Sequence, residues 1–336
     1  MVHHTIVALE AIHSPLPEFK LPEPHTHTLT SYLRTSREDL HDRIRDATII
    51  INVVHPLDSV ALSEEITPHL QLIAVMGSGY DSVDLETCRR RGIRVTNCPH
   101  ANVHTVAEHV IGMYFAARRR TVIMHERTMG TLGSGTEWKE RATLAQYMRV
   151  RGDAPLNCED EILGIVGYGA IGKRIALLAG ALGMKVIVAG RKGEEAATED
   201  RVSFADVLQK ATVLVLCCPR TPETVNLMSD PEFKAMRPDA LLINVSRGGI
   251  VDEAALLTAL KTEQIAGAAA DVFLKEPGEA GRYASSPLLG SEAQGLNITV
   301  SPHVAWFGEK TMANYQRILR ENIEGWVAGK EQNIVA

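Results

Sequence analysis

Glu161-Ile162-Leu163-Gly164-Ile165-Val166-Gly167-Tyr168-Gly169-Ala170-Ile171-Gly172-Lys173 is the stretch that decides the fold. An apolar run enters a Gly-x-Gly-x-x-Gly pattern, a helix-prone segment from Lys173 to Leu182 follows, and a second apolar run spans Met184 to Ala189. A lone Gly-x-Gly-x-x-Gly is weak evidence, because glycines also mark ordinary turns. Strand, glycine turn, helix and strand in that order supply the context the pattern requires. Gly167 then permits the tight turn, Gly169 lets backbone approach a pyrophosphate at the helix N-terminus, and Gly172 lets the helix lie close on the strand. The stretch predicts a dinucleotide-binding unit with Tyr168, Ala170 and Ile171 in the same cofactor-binding turn.

At the end of the second strand, roughly twenty residues on, an Asp or Glu is expected to hold the ribose 2′-hydroxyl of NAD. The chain has Gly190-Arg191-Lys192 there. A carboxylate repels a 2′-phosphate, whereas two cations attract it. The plainer reading is a solvated basic turn that Glu194 and Glu195 neutralise. Because the acid is missing as well as the cations present, the expectation is NADP (NADPH) held by Arg191 and Lys192, with NAD as the second choice.

Three more apolar runs end in reactive side chains. Leu241 to Val245 leads to Ser246-Arg247-Gly248, the run before Asp271 leads on to Glu276-Pro277, and the last leads to Ser301-Pro302-His303. Carboxyl ends of strands in an open parallel sheet are where such proteins build their sites. An Arg holds a carboxylate in a fork of donors, and a Glu beside a His sets that ring's affinity for a proton. Alone, each has a bland reading: a surface ion pair, a turn before Pro, a loop after Pro. Together, behind a dinucleotide fingerprint, they fit reduction of a 2-oxo acid or oxidation of a 2-hydroxy acid. Gly77-Ser78-Gly79, closing a strand of the first half, offers backbone N–H groups to a substrate carboxylate. Asp84 beyond them suits an ordinary helix cap, which is compatible with that role.

With 336 residues the chain is too long for one ordinary domain and natural for two, and 45% hydrophobic content supports sizeable cores. A net charge of −6 argues against nucleic acid or an anionic membrane as partner. Arg118-Arg119-Arg120 is short, and its default reading is a solvated or interface face. No apolar stretch reaches membrane-spanning length, and no signal-peptide pattern opens the chain. The five cysteines lack paired or metal spacing, which suggests a reducing, cytoplasmic setting. Cys217-Cys218 ends a strand and is read as small packing beside the cofactor. Thirteen histidines invite a metal reading, but most are scattered in the first segment without carboxylates at ligand spacing, so no metal site is expected.

The first half reads as strand Ile6 to Leu9, a Pro- and His-rich loop through His27, a helix near Ser36 to Arg45 and strand Thr48 to Val54. Helical Ser59 to Glu65, strand Leu70 to Met76, helical Leu85 to Arg91 and strand Ile93 to Asn97 follow. A long amphipathic segment from about Thr105 to about His125 and a polar stretch ending near Asp160 lead to a second alternation. Its strands lie at Ile162, Val186, Val213, Leu242, Ala266 and Ile298, and a helix from Lys310 to Val327 closes the chain. Alternation of this kind gives parallel sheets with flanking helices.

In Gly77 to Leu85, Asn102 to Glu108, Gly167 to Gly172, Asn244 to Gly248, Asp271 to Pro277 and Ser301 to His303, taken in order, the chain resembles the D-isomer-specific 2-hydroxyacid dehydrogenase family. The resemblance covers nearly everything beyond about residue 45. It implies an α/β protein of two doubly wound parallel-sheet domains. A Rossmann NADP-binding domain, 105–303, is inserted into a flavodoxin-like substrate domain, 1–104 and 304–336. It also implies a homodimer held partly by the helix from Thr105, with the last helix packed on the N-terminal domain. On this match Arg247 binds and polarises the substrate, His303 is the acid/base, and Glu276 orients and charges it. Asp271 and Thr105 contact the nicotinamide end, and Cys218, Pro219, Ser246 and Ala305 lie near the nucleotide. His303-Val304-Ala305-Trp306 and Gly190-Arg191-Lys192 look most like the NADP-using glyoxylate and hydroxypyruvate reductases. The expected substrate is a small 2-oxo or 2-hydroxy acid.

Two segments depart from the pattern: Gly278 to Asn297, with Gly281-Arg282-Tyr283, is longer than usual, and Ser14 to Thr30 is idiosyncratic. Both bear on substrate identity. Formate dehydrogenases of the family carry Gln in place of Glu276, phosphonate oxidisers keep Glu, and related co-repressors bind NAD(H) without turnover. These are the alternative readings.

Overall fold

The computed structural model describes residues 2–130, 137–194, 200–277 and 285–336. Its contacts fall into two compact units, one of Met1–Asn102 with Phe307–Ala336, the other of Val103–Glu276 with residues 285–306.

The first unit contains β1 (His3–Ala8), β2 (Thr26–Ser31), α1 (Arg37–Ile44), β3 (Ile49–Asn52), β4 (Leu72–Val75), α2 (Leu85–Arg91) and β5 (Arg94–Thr96). All five strands are parallel, in the order β2-β1-β3-β4-β5. This is the flavodoxin-like order. Every residue of β3 and β4 is buried, as central parallel strands covered on both faces must be. The Asp84 side chain caps α2 by accepting the Thr87 N–H at 3.0 Å, and Gly92 in the left-handed region ends it.

Two expectations for this unit fail. β2 begins at Thr26, inside the stretch read as a loop through His27, and runs on to Ser31 where no strand was expected, paired in register with β1 from His3–Thr26 to Ala8–Ser31. It is exposed along its length because it lies at the sheet edge, so its alternating Thr residues carry no apolar signal. The segment Ser59 to Glu65 forms turns, not a helix. Asp58 accepts the N–H groups of Val60 and Ala61, which gives the backbone a local alternative to helical bonding.

The second unit opens with α3 (Val103–Arg118), α4 (Thr121–Met129) and α5 (Glu137–Arg141). The single long helix expected from Thr105 to His125 is broken at Arg120, which takes a left-handed φ of 47°. A Rossmann alternation follows: β6 (Ile162–Val166), α6 (Ala170–Ala181), β7 (Lys185–Val188), α7 (Phe204–Lys210), β8 (Val213–Leu216), α8 (Asp230–Ala235), β9 (Leu241–Asn244), α9 (Glu253–Lys261), β10 (Gly267–Ala270) and β11 (Ile298–Val300). The sheet is parallel throughout, ordered β11-β10-β9-β8-β6-β7. A lone parallel bridge, Ala189 to Val202, adds a vestigial strand beyond β7. Counting it, the sheet has the dinucleotide-fold order 3-2-1-4-5-6 with β11 added as a seventh strand beside β10.

Alternate residues of each strand feed two cores on opposite faces. Leu214, Leu216 and Leu242 join Phe204, Phe233 and Leu257, whereas Val213, Val215 and Ile243 join Val106, Val110 and Ile175. Arg118, expected on a solvated or interface face, is instead 2% exposed and forks onto the fully buried Glu161. Its Nε and one terminal nitrogen reach the two carboxylate oxygens at 2.6 and 2.9 Å, and the guanidinium also donates to the carbonyls of Asp239 and Thr212.

The chain ends in α10 (Glu309–Val327), which belongs to the first unit and buries Ile318, Leu319 and Ile323. Asn322 on it donates to the Asn97 carbonyl at 2.8 Å. No helix among the described residues is long and apolar enough to cross a membrane.

Candidate active site

Because the sheet of the second unit is wholly parallel, the residues just past β6, β7, β8, β9, β10 and β11 all emerge at one edge. Gly167, Arg191, Cys218, Arg247, Asp271 with Glu276, and His303 follow those strands in turn.

The fingerprint turn is built for close backbone approach. Gly167 has φ +97°, and a Cβ there would lie 2.5 Å from the Cys218 nitrogen. A Cβ on Gly172 would lie 2.3 Å from the Gly167 carbonyl oxygen, so only glycine lets α6 press onto the turn. Gly169, by contrast, N-caps α6 without a side-chain cap, and a Cβ added there meets nothing of the protein. A helix N-terminus with free first-turn N–H groups and open space beside its glycine fits a pyrophosphate. Tyr168 is exposed, and Ala170 and Ile171 are half-buried in the same turn. Cys217 donates its thiol to the Gly167 carbonyl at 2.9 Å, and burial pushes that thiol up to about 12. Both Cys217 and Cys218 therefore stay protonated near neutral pH, which supports packing and not redox work. Ser246 donates its hydroxyl to the Cys218 carbonyl, tying the β8 and β9 loops together, and Pro219 beside them is exposed.

The two cations past β7 differ. Arg191 is 85% exposed and only loosely paired, 3.7 Å from Glu194. Lys192 is engaged, with its ammonium 2.8 Å from Glu232 and donating to the Leu227 carbonyl at 3.3 Å. Glu195, the other expected neutraliser, lies outside the described residues, as does Gly281-Arg282-Tyr283.

The Glu276 carboxylate bonds His303 Nδ1 at 2.6 Å through Oε2 and accepts the Phe273 N–H at 3.0 Å through Oε1. Burial raises the Glu276 carboxyl, but the bond to His303, the charge of that ring, the Phe273 N–H and Arg247 together outweigh it and hold it below the ordinary 4.5. Arg247 donates to its neighbour's carbonyl, Ser246, at 2.8 Å, and its own carbonyl accepts from the Asn244 side chain at 3.1 Å. A Cβ on the next residue, Gly248, would lie 1.8 Å from the Phe273 carbonyl oxygen. That contact lets the Arg247 loop lie against the backbone that presents Glu276.

Asp271 is 1% exposed. Its Oδ1 accepts the Ser301 hydroxyl at 2.6 Å and the Val304 N–H at 2.9 Å, its Oδ2 the Ala305 N–H at 2.9 Å, and its carbonyl the His303 N–H at 2.7 Å. The Asp271 side chain thus anchors the turn that carries His303 and the buried Ala305. Trp306 donates its indole N–H back to the His303 carbonyl at 2.8 Å. His109 of α3 meets Ser301 at 2.9 Å. The sequence singles out Ser301 only as part of the run into His303 and does not single out His109, 192 positions away. Thr105 lies half-buried in the first turn of α3.

In the first unit, Gly77, Ser78 and Gly79 follow β4 and are half-buried. The Ser78 hydroxyl lies 3.0 Å from the Cys98 carbonyl and 3.2 Å from the Asn102 side-chain oxygen, and the Asn97 amide donates to the Ser78 carbonyl at 2.8 Å. The turn is held from three sides. Among the described residues no group of three or more His, Cys, Asp or Glu is arranged to hold a metal ion.

Residues 111–305 match the family model described as D-isomer specific 2-hydroxyacid dehydrogenase, NAD binding domain. The chain is 36% identical over 329 residues to a glycerate dehydrogenase of Methylorubrum extorquens, covering 97% of this chain and 96% of that one. It is 31% identical over 295 residues to a glyoxylate reductase of Thermococcus litoralis, covering 87% and 84%. Among solved structures, it is similar to an NADPH-dependent glyoxylate/hydroxypyruvate reductase from Sinorhizobium meliloti in complex with NADP and malonate. That likeness has 25% identity and a TM-score of 0.74, and covers 99% of this chain and 97% of that one.

Proposed function

The chain belongs to the D-isomer-specific 2-hydroxyacid dehydrogenase family, and from that premise we propose that it reduces a small 2-oxoacid of the glyoxylate or hydroxypyruvate type with NADPH. The observation that carries this reading is the 2.6 Å bond between His303 Nδ1 and Glu276, which leaves the other ring nitrogen to serve a substrate. When bound, the dinucleotide supplies the hydride. Gly167, Gly169 and Gly172 shape its pyrophosphate turn, with Tyr168, Ala170 and Ile171 beside it. Thr105, Cys218, Pro219, Ser246 and Ala305 line its path, and Asp271 acts near its nicotinamide end chiefly through the turn it anchors.

Arg247 presents a fork of donors to the oxoacid, and its charge stabilises the oxygen on which negative charge develops. Gly77, Ser78 and Gly79 bind the substrate carboxylate through backbone N–H groups. His303, as the imidazolium, passes its Nε2 proton to the alkoxide as the C–H bond forms, giving the D-hydroxy acid. Glu276 holds the ring by Nδ1, so that Nε2 carries the mobile proton. Glu276 also argues against the formate branch, which uses Gln at this position.

Arg191 is the main 2′-phosphate ligand. Because Lys192 is tied to Glu232, it assists less than a free cation would, and NADH should retain some activity. The five free cysteines suit a cytoplasmic setting. Exposed Phe115, Val122, Met129 and Trp138 on α3, α4 and α5 suit a homodimer contact.

A screen of 2-oxoacids with NADPH and NADH, followed at the nicotinamide absorbance, tests the reading. NADPH should give the higher kcat/KM with a small oxoacid, and Arg191→Asp should reverse the preference, because a carboxylate repels the phosphate. Equal use of both cofactors by the wild type would return Arg191 to a surface turn.

A further inference from the structure

His109 has no part in the reaction above, yet its geometry gives it one. Its Nε2 lies 2.9 Å from the Ser301 hydroxyl, and that hydroxyl donates to Asp271 Oδ1 at 2.6 Å. A serine hydroxyl has a single proton, and a carboxylate only accepts. His109 Nε2 must therefore be the donor to Ser301. The neutral Nε2–H tautomer and the imidazolium both satisfy this, so the chain of donors runs from His109 through Ser301 to Asp271 in either state.

Asp271 holds the segment that matters. Its carbonyl and two carboxylate oxygens take the N–H groups of His303, Val304 and Ala305. Within that turn His303 has φ +54°. A left-handed conformation is unfavourable for a residue with a side chain and persists only where its surroundings over-determine it. Among the described residues, the basic side chain within ion-pair reach of Asp271 is His109, at 3.8 Å.

We propose that His109 is a positioning residue for the acid/base His303, acting through the Ser301 hydroxyl and the Asp271 carboxylate. The donor from His109 fixes the direction of the Ser301 proton, that proton fixes the Asp271 rotamer, and Asp271 fixes the backbone that aims the imidazole. The inference rests on the reading of His303 as the acid/base.

Two substitutions separate this role from simple packing. His109→Phe keeps a planar ring and loses the donor, and His109→Gln restores an amide N–H near the Nε2 position. His109→Phe should lower kcat for oxoacid reduction roughly tenfold, the scale of one lost hydrogen bond in a buried network. The KM for the oxoacid should change little, and His109→Gln should recover most of the loss. A second readout needs no turnover: the downfield proton resonance of the short His303–Glu276 bond should shift or broaden in His109→Phe and return in His109→Gln. Should His109→Phe fail to fold, Ser301→Ala removes only the hydroxyl and should give the same loss and the same spectral change. Wild-type kcat with an unmoved resonance in these variants would overturn the proposal. A wild type that turns over no oxoacid would overturn the functional reading instead, and the resonance would still decide whether His109 positions the ring.

Discussion

Arg247 separates charge from shape. A lysine keeps the cation but loses the planar fork, so Arg247→Lys should cost about 2–4 kcal/mol of transition-state binding, read as kcat/KM. Unchanged turnover in that variant would remove Arg247 from the mechanism. Glu276 makes the pH argument. Its carboxyl is held below its ordinary value in the folded chain, so its contribution is complete above that value and lost only as pH falls through the lowered one. Across the neutral range Glu276 is therefore the carboxylate bonded to His303 Nδ1. Glu276→Gln keeps a hydrogen-bonding shape without the charge, and the alkaline limb of the reduction profile should then move to lower pH. A limb that stays in place would make Glu276 a turn residue before Pro277. At this scale the sequence was informative because Arg247, Glu276 and His303 each follow an apolar run that could be only a strand. His109 was invisible, since its partner is distant in sequence and nothing about a lone helical histidine points to Ser301.

Among elements, α3 shows how context overrides composition. Three consecutive arginines read as a solvated or interface face, yet Arg118 is the buried partner of Glu161, where β6 begins. The Tyr114 hydroxyl also donates to Glu161, at 3.1 Å, and burial followed by that carboxylate's charge raises the phenol well above its usual range. Removing one member of a buried pair strands the other, so Arg118→Ala should destabilise the protein by about 3–5 kcal/mol, measured by chemical denaturation. A loss below about 1 kcal/mol would place the pair in water. Elements whose burial is one-sided or complete were legible: α2 ends where its cap residues say, and six apolar runs became β6 to β11. β2 was not, because an exposed edge strand of Thr and His has no apolar period. The turns after Asp58 looked helical only because side-chain capping of Val60 and Ala61 leaves no trace in hydropathy. Gly248 carries a constraint that only coordinates reveal, the approach of two loops within Cβ distance.

On the scale of the whole molecule, each unit is a parallel sheet whose carboxyl edge carries its distinctive residues. Gly77 to Gly79 follow β4 in one, and the fingerprint, Arg191, Arg247, Glu276 and His303 follow successive strands in the other. Parallel topology is what turns a scattered sequence pattern into one edge, which is why the fold class and the reactive residues could be read together. We propose that His303 delivers the proton in an NADPH-driven oxoacid reduction. The most direct test is kcat/KM for hydroxypyruvate reduction by NADPH against pH in the wild type and in His303→Ala. The wild type should yield the D-hydroxy acid with an alkaline limb, and His303→Ala should lose that limb and fall roughly 10²–10⁴-fold. Undiminished turnover in His303→Ala, with the limb intact, would contradict the account.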